Sequence, residues 1–353
     1  MVLARSRVCL ASLLGVAFLG PAVAGERPRW PVQNPLIAER GFVPTFKSRV
    51  LSGGFGARLK WGANRYDHHE GWDFYAFYDK AAYPGGHHGV EAVFAGRVAE
   101  LIDPANPEGT ETGRKVLLEH AVAWSSFGAP RSWGRVLTGY LHLERLDVAL
   151  GEVVEAGQAL GTAGATGHTR TVHLHFNAYR RDGKRLVNVN PVRLFTGKAA
   201  GWLRRLTKRT AQLRWLGRDA GDGRAWLRLL VAHDCESFDG LRLTVDKSPT
   251  LGFSFEGVSA RLRDRRDRGD QDLFEGLRLF PLRYNGGESV VRLNSKERLP
   301  SSWPARRFAV KADGAWRGWD IELTELSAQA RRIKVKLLGV LGESLKMELK
   351  VPK

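Results

Sequence analysis

The sequence predicts an all-β protein made of two antiparallel, strand-rich domains, on three grounds. Val, Leu, Phe and Tyr alternate with polar residues from His168 to Tyr179, which is the period of a half-buried strand, and Arg114 to His120 reads as a further strand. Glycines at 151, 157, 161, 164 and 167 punctuate such runs as tight turns between short strands require. No stretch has the 3.6-residue periodicity of a long amphipathic helix.

The elements follow in chain order. Arg5 and Arg7 precede the apolar run Val8 to Phe18 and the small residues Ala22-Val23-Ala24. Residues 1–24 therefore read as a secretory signal peptide, the run being too short to span a bilayer. A periplasmic or secreted product is expected, with no transmembrane segment after leader removal. Cys9 would leave with the leader, and Cys235 then remains alone. The fold must rest on its core rather than on an intrachain disulfide. The formal charge of +18 falls to +16 once Arg5 and Arg7 are removed, and such a field favours polyanions. For an exported chain these are anionic cell-envelope polymers or lipid headgroups, not nucleic acid.

Residues 25–47 carry Pro28, Pro31, Pro35 and Pro44 and read as an extended N-terminal arm. Ser52 to Arg58 supplies a glycine-rich bend. In His69-Glu70-Gly71-Trp72-Asp73, a His and an Asp four apart can turn inward together if the chain bends at Gly71, a spacing that suits a metal. Residues 89–98, 114–120 and 135–143 read as strands. In the strand around His173-Leu174-His175 both imidazoles share one face. Nine of the ten histidines fall between residues 68 and 175, so histidine chemistry is confined to this part of the chain. Within it, His87-His88 follows Pro84-Gly85-Gly86 and reads as a solvated turn, and His120 as a structural histidine ending a strand.

Taken together, Ser52 to Arg58, His69-x-Gly-x-Asp73, Tyr140-x-His142-Leu143, Gly157-Gln158-x-x-Gly161, Gly164-x-Thr166-Gly167, His173-Leu174-His175-Phe176 and Asn190-Pro191 resemble the lysostaphin-like, LytM-type zinc endopeptidases that cut peptidoglycan. The likeness covers residues 48–196. It implies an antiparallel β peptidase domain there, one Zn²⁺ per chain held by His69, Asp73 and His175, and a catalytic pair formed by His142 and His173. Two imidazoles and one carboxylate suit tetrahedral zinc and leave a fourth position for water, so the expected chemistry is attack of a zinc-activated water on a peptide carbonyl. The sequence departs from the family pattern at Asn177, where Glu is usual, and at Arg170-Thr171-Val172, where Ser-Thr-Gly-Pro is common; both departures bear on substrate preference.

Residues 197–222 read as a basic linker, with Arg204, Arg205, Lys208, Arg209, Arg214 and Arg218 among Trp202, Leu203, Leu206 and Trp215, able to touch anionic polymer or lipid. Beyond it, runs at 240–245, 251–255, 277–284, 289–293, 321–323, 333–340 and 344–351 predict a β-rich C-terminal domain, a sandwich or barrel spanning 223–353. Arg261 to Asp272 is a mixed-charge loop. The resulting expectation is an exported zinc metalloendopeptidase acting on the peptide cross-links of peptidoglycan. Two alternatives stand beside it: a non-catalytic LytM module that binds peptidoglycan or an amidase, and a secreted bacteriolytic protease.

Overall fold

The computed structural model of the chain describes residues 28–32, 51–59, 66–75, 88–169, 171–195, 205–218, 225–232, 235, 237–246, 251–254, 277–282, 316–323 and 329–352. The leader at 1–24, most of the arm, His87, residues 202–204, the loop 261–272 and the run 289–293 lie outside the described residues. Among the described residues, twenty strands run in chain order. The first twelve are β1 Leu51–Gly53, β2 Gly56–Leu59, β3 Tyr66–His69, β4 Trp72–Tyr75, β5 Gly89–Glu91, β6 Gly96–Ile102, β7 Arg114–Ala123, β8 Arg135–Leu146, β9 Val153–Val154, β10 Ala159–Ala163, β11 His173–Asp182 and β12 Arg185–Val189. The others are β13 Ala211–Arg218, β14 Ala225–Ala232, β15 Phe238–Val245, β16 Leu251–Ser254, β17 Leu277–Leu282, β18 Trp316–Leu323, β19 Arg332–Gly339 and β20 Ser344–Lys350. Among the described residues there is no α-helix, and no helix long and apolar enough to cross a membrane. The all-β expectation holds.

The described residues of Met1–Pro35 and Phe74–Arg180 form one compact unit; those of Leu36–Asp73 and Arg181–Lys353 form a second. The large sheet runs β1-β4-β11-β8-β7-β6-β9, with β12 beside β11, and β10 pairing both β5 and β8. Its central strand β8 is buried from Val136 to Leu143, because neighbours flank it and side chains cover both faces. Tyr140 and Phe74 both pack against Phe176, with ring centroids 5.4 and 6.3 Å apart. Residues 28–32 run along β5: the Arg29 amide donates to the Val93 carbonyl at 2.8 Å, and Val32 bridges Val90.

The expected strand at 89–98 is two strands, broken where the chain bends at Val93-Phe94-Ala95 and Phe94 turns its ring against His120. The stretch expected as a basic linker is in part a strand. β13 pairs with β14 from Ala211↔Val231 to Arg218↔Ala225, with a bulge between Trp215 and Gly217. The C-terminal strands form two antiparallel sheets, β13-β14-β18-β17 and β16-β15-β19-β20. β14 has no alternation to read because all eight of its residues are buried.

His120 is fully buried in the large sheet. Its Nδ1–H donates to the Ala95 carbonyl at 3.1 Å, and its Nε2 lies 2.7 Å from the Thr138 hydroxyl, which lies 3.1 Å from that of Tyr140. Burial disfavours the charged ring and lowers its pKa from 6.5 to about 4, against the smaller opposing pull of the Ala95 and Phe94 carbonyls. The unfolded chain therefore takes up a proton between pH 6.5 and about 4 that the folded chain refuses. Stability from this group is complete above pH 6.5 and is lost as pH falls, at ~1.4 kcal/mol per pH unit, or about 3 kcal/mol in all. Urea midpoints for wild type and His120→Gln should diverge at pH 7 and converge near pH 4.5. A parallel loss in both proteins would assign the acid sensitivity elsewhere.

Candidate metal centre

His69 ends β3, and Asp73 stands two residues past the Gly71 bend, on β4. Their burial follows from their neighbours: Trp72 and Phe74 are both fully buried, and Trp72 stacks on Phe195 at 5.6 Å. The His69 Nδ1–H donates to the Gly54 carbonyl at 2.6 Å, while Nε2 lies 3.0 Å from Asp73 Oδ1. With Nδ1 carrying the proton, the Nε2 lone pair faces an anionic oxygen, an arrangement that is repulsive unless a proton or a metal cation sits between them. A separation of 3.0 Å is also close to the ~3.3 Å between two ligand atoms that each lie ~2.0–2.1 Å from a tetrahedral zinc. β4 lies next to β11 in the sheet, and His69, Asp73 and His175 each offer a ligand atom within 4.8 Å of the others.

His142 and His173 gather at the same face of β11. The His142 ring lies 5.0 Å from that of His173 and 5.9 Å from that of His175, centroid to centroid. His142 is held in two ways, its amide donating to the Thr112 carbonyl at 3.1 Å and its Nδ1–H to the Thr166 carbonyl at 2.8 Å. His173 Nδ1–H donates likewise to the Thr171 carbonyl at 2.8 Å. Both rings thus have their Nδ1 proton committed to backbone, which fixes the tautomer and leaves Nε2 as the basic nitrogen.

The backbone at His142 is unusual. Its φ is 64°, a left-handed conformation that costs a residue with a Cβ ~1–3 kcal/mol. The strand register shows why it occurs: Arg114 faces Leu143 and Lys115 faces Leu141, so His142 is the extra residue of a β-bulge, the device that re-aims a side chain beside a site.

Three residues that hold His142 escape a reading for side-chain chemistry. Thr166 is buried; its hydroxyl donates to the Leu143 carbonyl at 2.7 Å and accepts from the Arg114 amide at 3.1 Å. Gly113, with φ +61°, passes so close that a Cβ there would sit 2.3 Å from the Thr166 hydroxyl, and one on Gly167 would sit 2.3 Å from the Gly113 nitrogen. The Gly164-x-Thr166-Gly167 spacing was the available signal. Gly113→Ala should displace the Thr166 carbonyl and with it the His142 ring, lowering turnover about 10²-fold by misplacement alone while metal content stays at the wild-type level. Turnover and metal content measured on the same sample check this, and wild-type turnover would show that the interlock does not position His142.

Two expectations are corrected. Asn177 is fully buried, facing Gly139 across the strands, with its Nδ2 donating to the Tyr179 hydroxyl at 2.8 Å. The replacement of the usual glutamate therefore alters core hydrogen bonding and leaves no side chain there to meet a substrate. His88 is buried rather than solvated, and its carbonyl accepts from the Ala163 amide at 2.9 Å.

Comparison with known proteins gives the following likenesses. Residues 67–191 match the model of Peptidase family M23. Lysostaphin of Staphylococcus staphylolyticus is 36% identical over 59 residues, 15% of this chain and 12% of that protein. Glycyl-glycine endopeptidase ALE-1 of Staphylococcus capitis is 36% identical over 59 residues, 15% of this chain and 16% of that protein. The chain thus spans only a small part of these relatives. Among solved structures, a zinc-containing peptidase from Vibrio cholerae has 25% identity over 42% of this chain and 36% of its own, at a TM-score of 0.29. The catalytic domain of lysostaphin from Staphylococcus simulans has 21% identity over 41% and 90%, at 0.30.

Proposed function

We propose that this protein, whose residues 67–191 match the model of Peptidase family M23, is an exported zinc metalloendopeptidase that hydrolyses the peptide cross-links of bacterial peptidoglycan. The observation that carries the proposal is the gathering of His69, Asp73 and His175 around one point, with His142 and His173 beside them.

In this proposal His69, Asp73 and His175 hold one Zn²⁺, a fit supported by the His69 lone pair aimed at a carboxylate oxygen 3.0 Å away. Zinc, when bound, supplies a Lewis acid that polarises a peptide carbonyl and lowers the pKa of water toward ~7. The remaining work falls to the chain. His142 and His173, each anchored through Nδ1, present Nε2 to the reacting groups. One takes a proton from the attacking water and returns it to the leaving amine. An imidazolium of the pair, through its Nε2–H, stabilises the negative charge that develops on the carbonyl oxygen. No nucleophilic side chain takes part.

The test is to incubate purified peptidoglycan with the full-length chain and weigh the released fragments. Cleavage of cross-links predicts new peptides whose summed mass exceeds that of the cross-linked precursor by one water per bond cut, their appearance abolished by a chelator and restored by zinc. Sacculi that bind the protein and yield no new fragments would support the non-catalytic binding module instead.

A further inference from the structure

We propose that the outer face of the sheet β16-β15-β19-β20 is a docking surface for a flexible phosphate-bearing polymer that carries no bases. Along β19, Ile333, Val335 and Leu337 are buried, while Arg332 and Lys334 are exposed and Lys336 is half-buried. β20 alternates likewise, with Lys346, Glu348 and Lys350 exposed, and β15 adds Arg242. Strand pairing then sets cations directly opposite cations. Arg242 faces Lys336, Lys336 faces Lys346, and Arg332 faces Lys350.

Neighbouring strands lie ~4.8 Å apart, and alternate residues of one strand ~6.8 Å, so these side chains form a lattice of positive charge. Like charges directly opposite each other destabilise a sheet. Two acids temper the lattice: Glu348 lies 3.6 Å from Arg332, and Asp246 accepts the Arg331 and Arg332 amides at the margin. Six cations remain against them, a surplus that an anionic partner would neutralise.

The composition of the face selects the partner. Single-stranded nucleic acid is held by aromatic platforms, and interfacial membrane binding by inserted aromatic or aliphatic side chains. The described residues of this face offer no aromatic ring, and Leu338 alone is apolar. Four of the six cations are lysines, point charges on flexible stems that suit irregularly spaced phosphates better than bidentate recognition. The exposed Lys208, Arg209 and Arg214 lie before or on β13, in the other C-terminal sheet, and are not part of this face. Docking here needs none of the residues of the peptidase site.

Binding of the full-length chain to soluble polyglycerol phosphate, followed from 50 to 300 mM salt, tests it. Lys334→Gln/Lys336→Gln/Lys346→Gln should weaken binding about tenfold at low salt and flatten the log–log salt dependence by about 2, at ~0.7 for each phosphate that is no longer neutralised. An equal neutralisation elsewhere, Arg131→Gln/Arg135→Gln/Lys184→Gln, should leave both nearly unchanged, and Glu348→Gln should tighten binding. Equal loss in the two triple variants would make net charge the cause and overturn the site. Tighter binding to a single-stranded oligonucleotide or to phosphatidylglycerol vesicles than to the polymer would overturn the choice of partner.

Discussion

His142→Ala and His173→Ala are expected to keep one zinc per chain and lose ~10²–10⁴ in kcat, the range that a positioned general acid or base contributes. Both side chains reach backbone carbonyls through Nδ1 rather than the Asp73 carboxylate, so their removal leaves the proposed ligand set whole. KM should move little, since proton transfer and oxyanion stabilisation are realised in the transition state. His142→Ala has a second consequence: it keeps a Cβ at a φ of 64° but loses the Thr166 hydrogen bond that offsets the strain, so its stability should fall as well. His142→Gly should recover stability without recovering turnover. If metal analysis finds His173→Ala empty and His175→Ala fully loaded, the two roles are reversed.

The second large effect is expected at His69, Asp73 and His175, where alanine should abolish metal and hydrolysis together. Each is one of three protein ligands in the proposed centre, so removing one should weaken zinc by more than the ~10–100-fold that losing an outer partner costs. Asp73→Ala also uncovers the logic of the pair, because His69 Nε2 would then lack the oxygen now 3.0 Å away. Asp73→Asn keeps the shape and removes the charge; it should bind zinc more weakly than wild type and more tightly than Asp73→Ala. Metal content across this series separates loss of a ligand from loss of fold, which thermal melting of the same samples reports independently.

Much of this arrangement was legible in the sequence because strands reveal their faces. Period-two alternation placed His173 and His175 on one surface, and strands were readable wherever a polar residue marked the outward side, as in β19 and β20. β14 was not, because all eight of its residues, Arg228 included, are buried and no outward side marks a face. His142 could be expected near the site, but not its conformation. The bulge arises from a register slip between β7 and β8, and nothing local in Tyr140-Leu141-His142-Leu143 encodes the slip. The acceptors that fix the imidazoles are the carbonyls of Gly54, Thr166 and Thr171, and a backbone atom has no residue-type signature. The cation rows on β15, β19 and β20 were hidden for a related reason, since they depend on which residues strand pairing brings side by side, Arg242 and Lys336 across about ninety residues and the β19–β20 pairs by their register.

Zinc titration of the metal-free full-length chain, with cross-link cleavage followed at each addition, bears most directly on the central claim. Cleavage should rise in proportion to added zinc and break sharply at one equivalent, and His175→Ala should stay flat under the same additions. Cross-link cleavage by the metal-free chain, or a His175→Ala protein that responds like wild type, would contradict it.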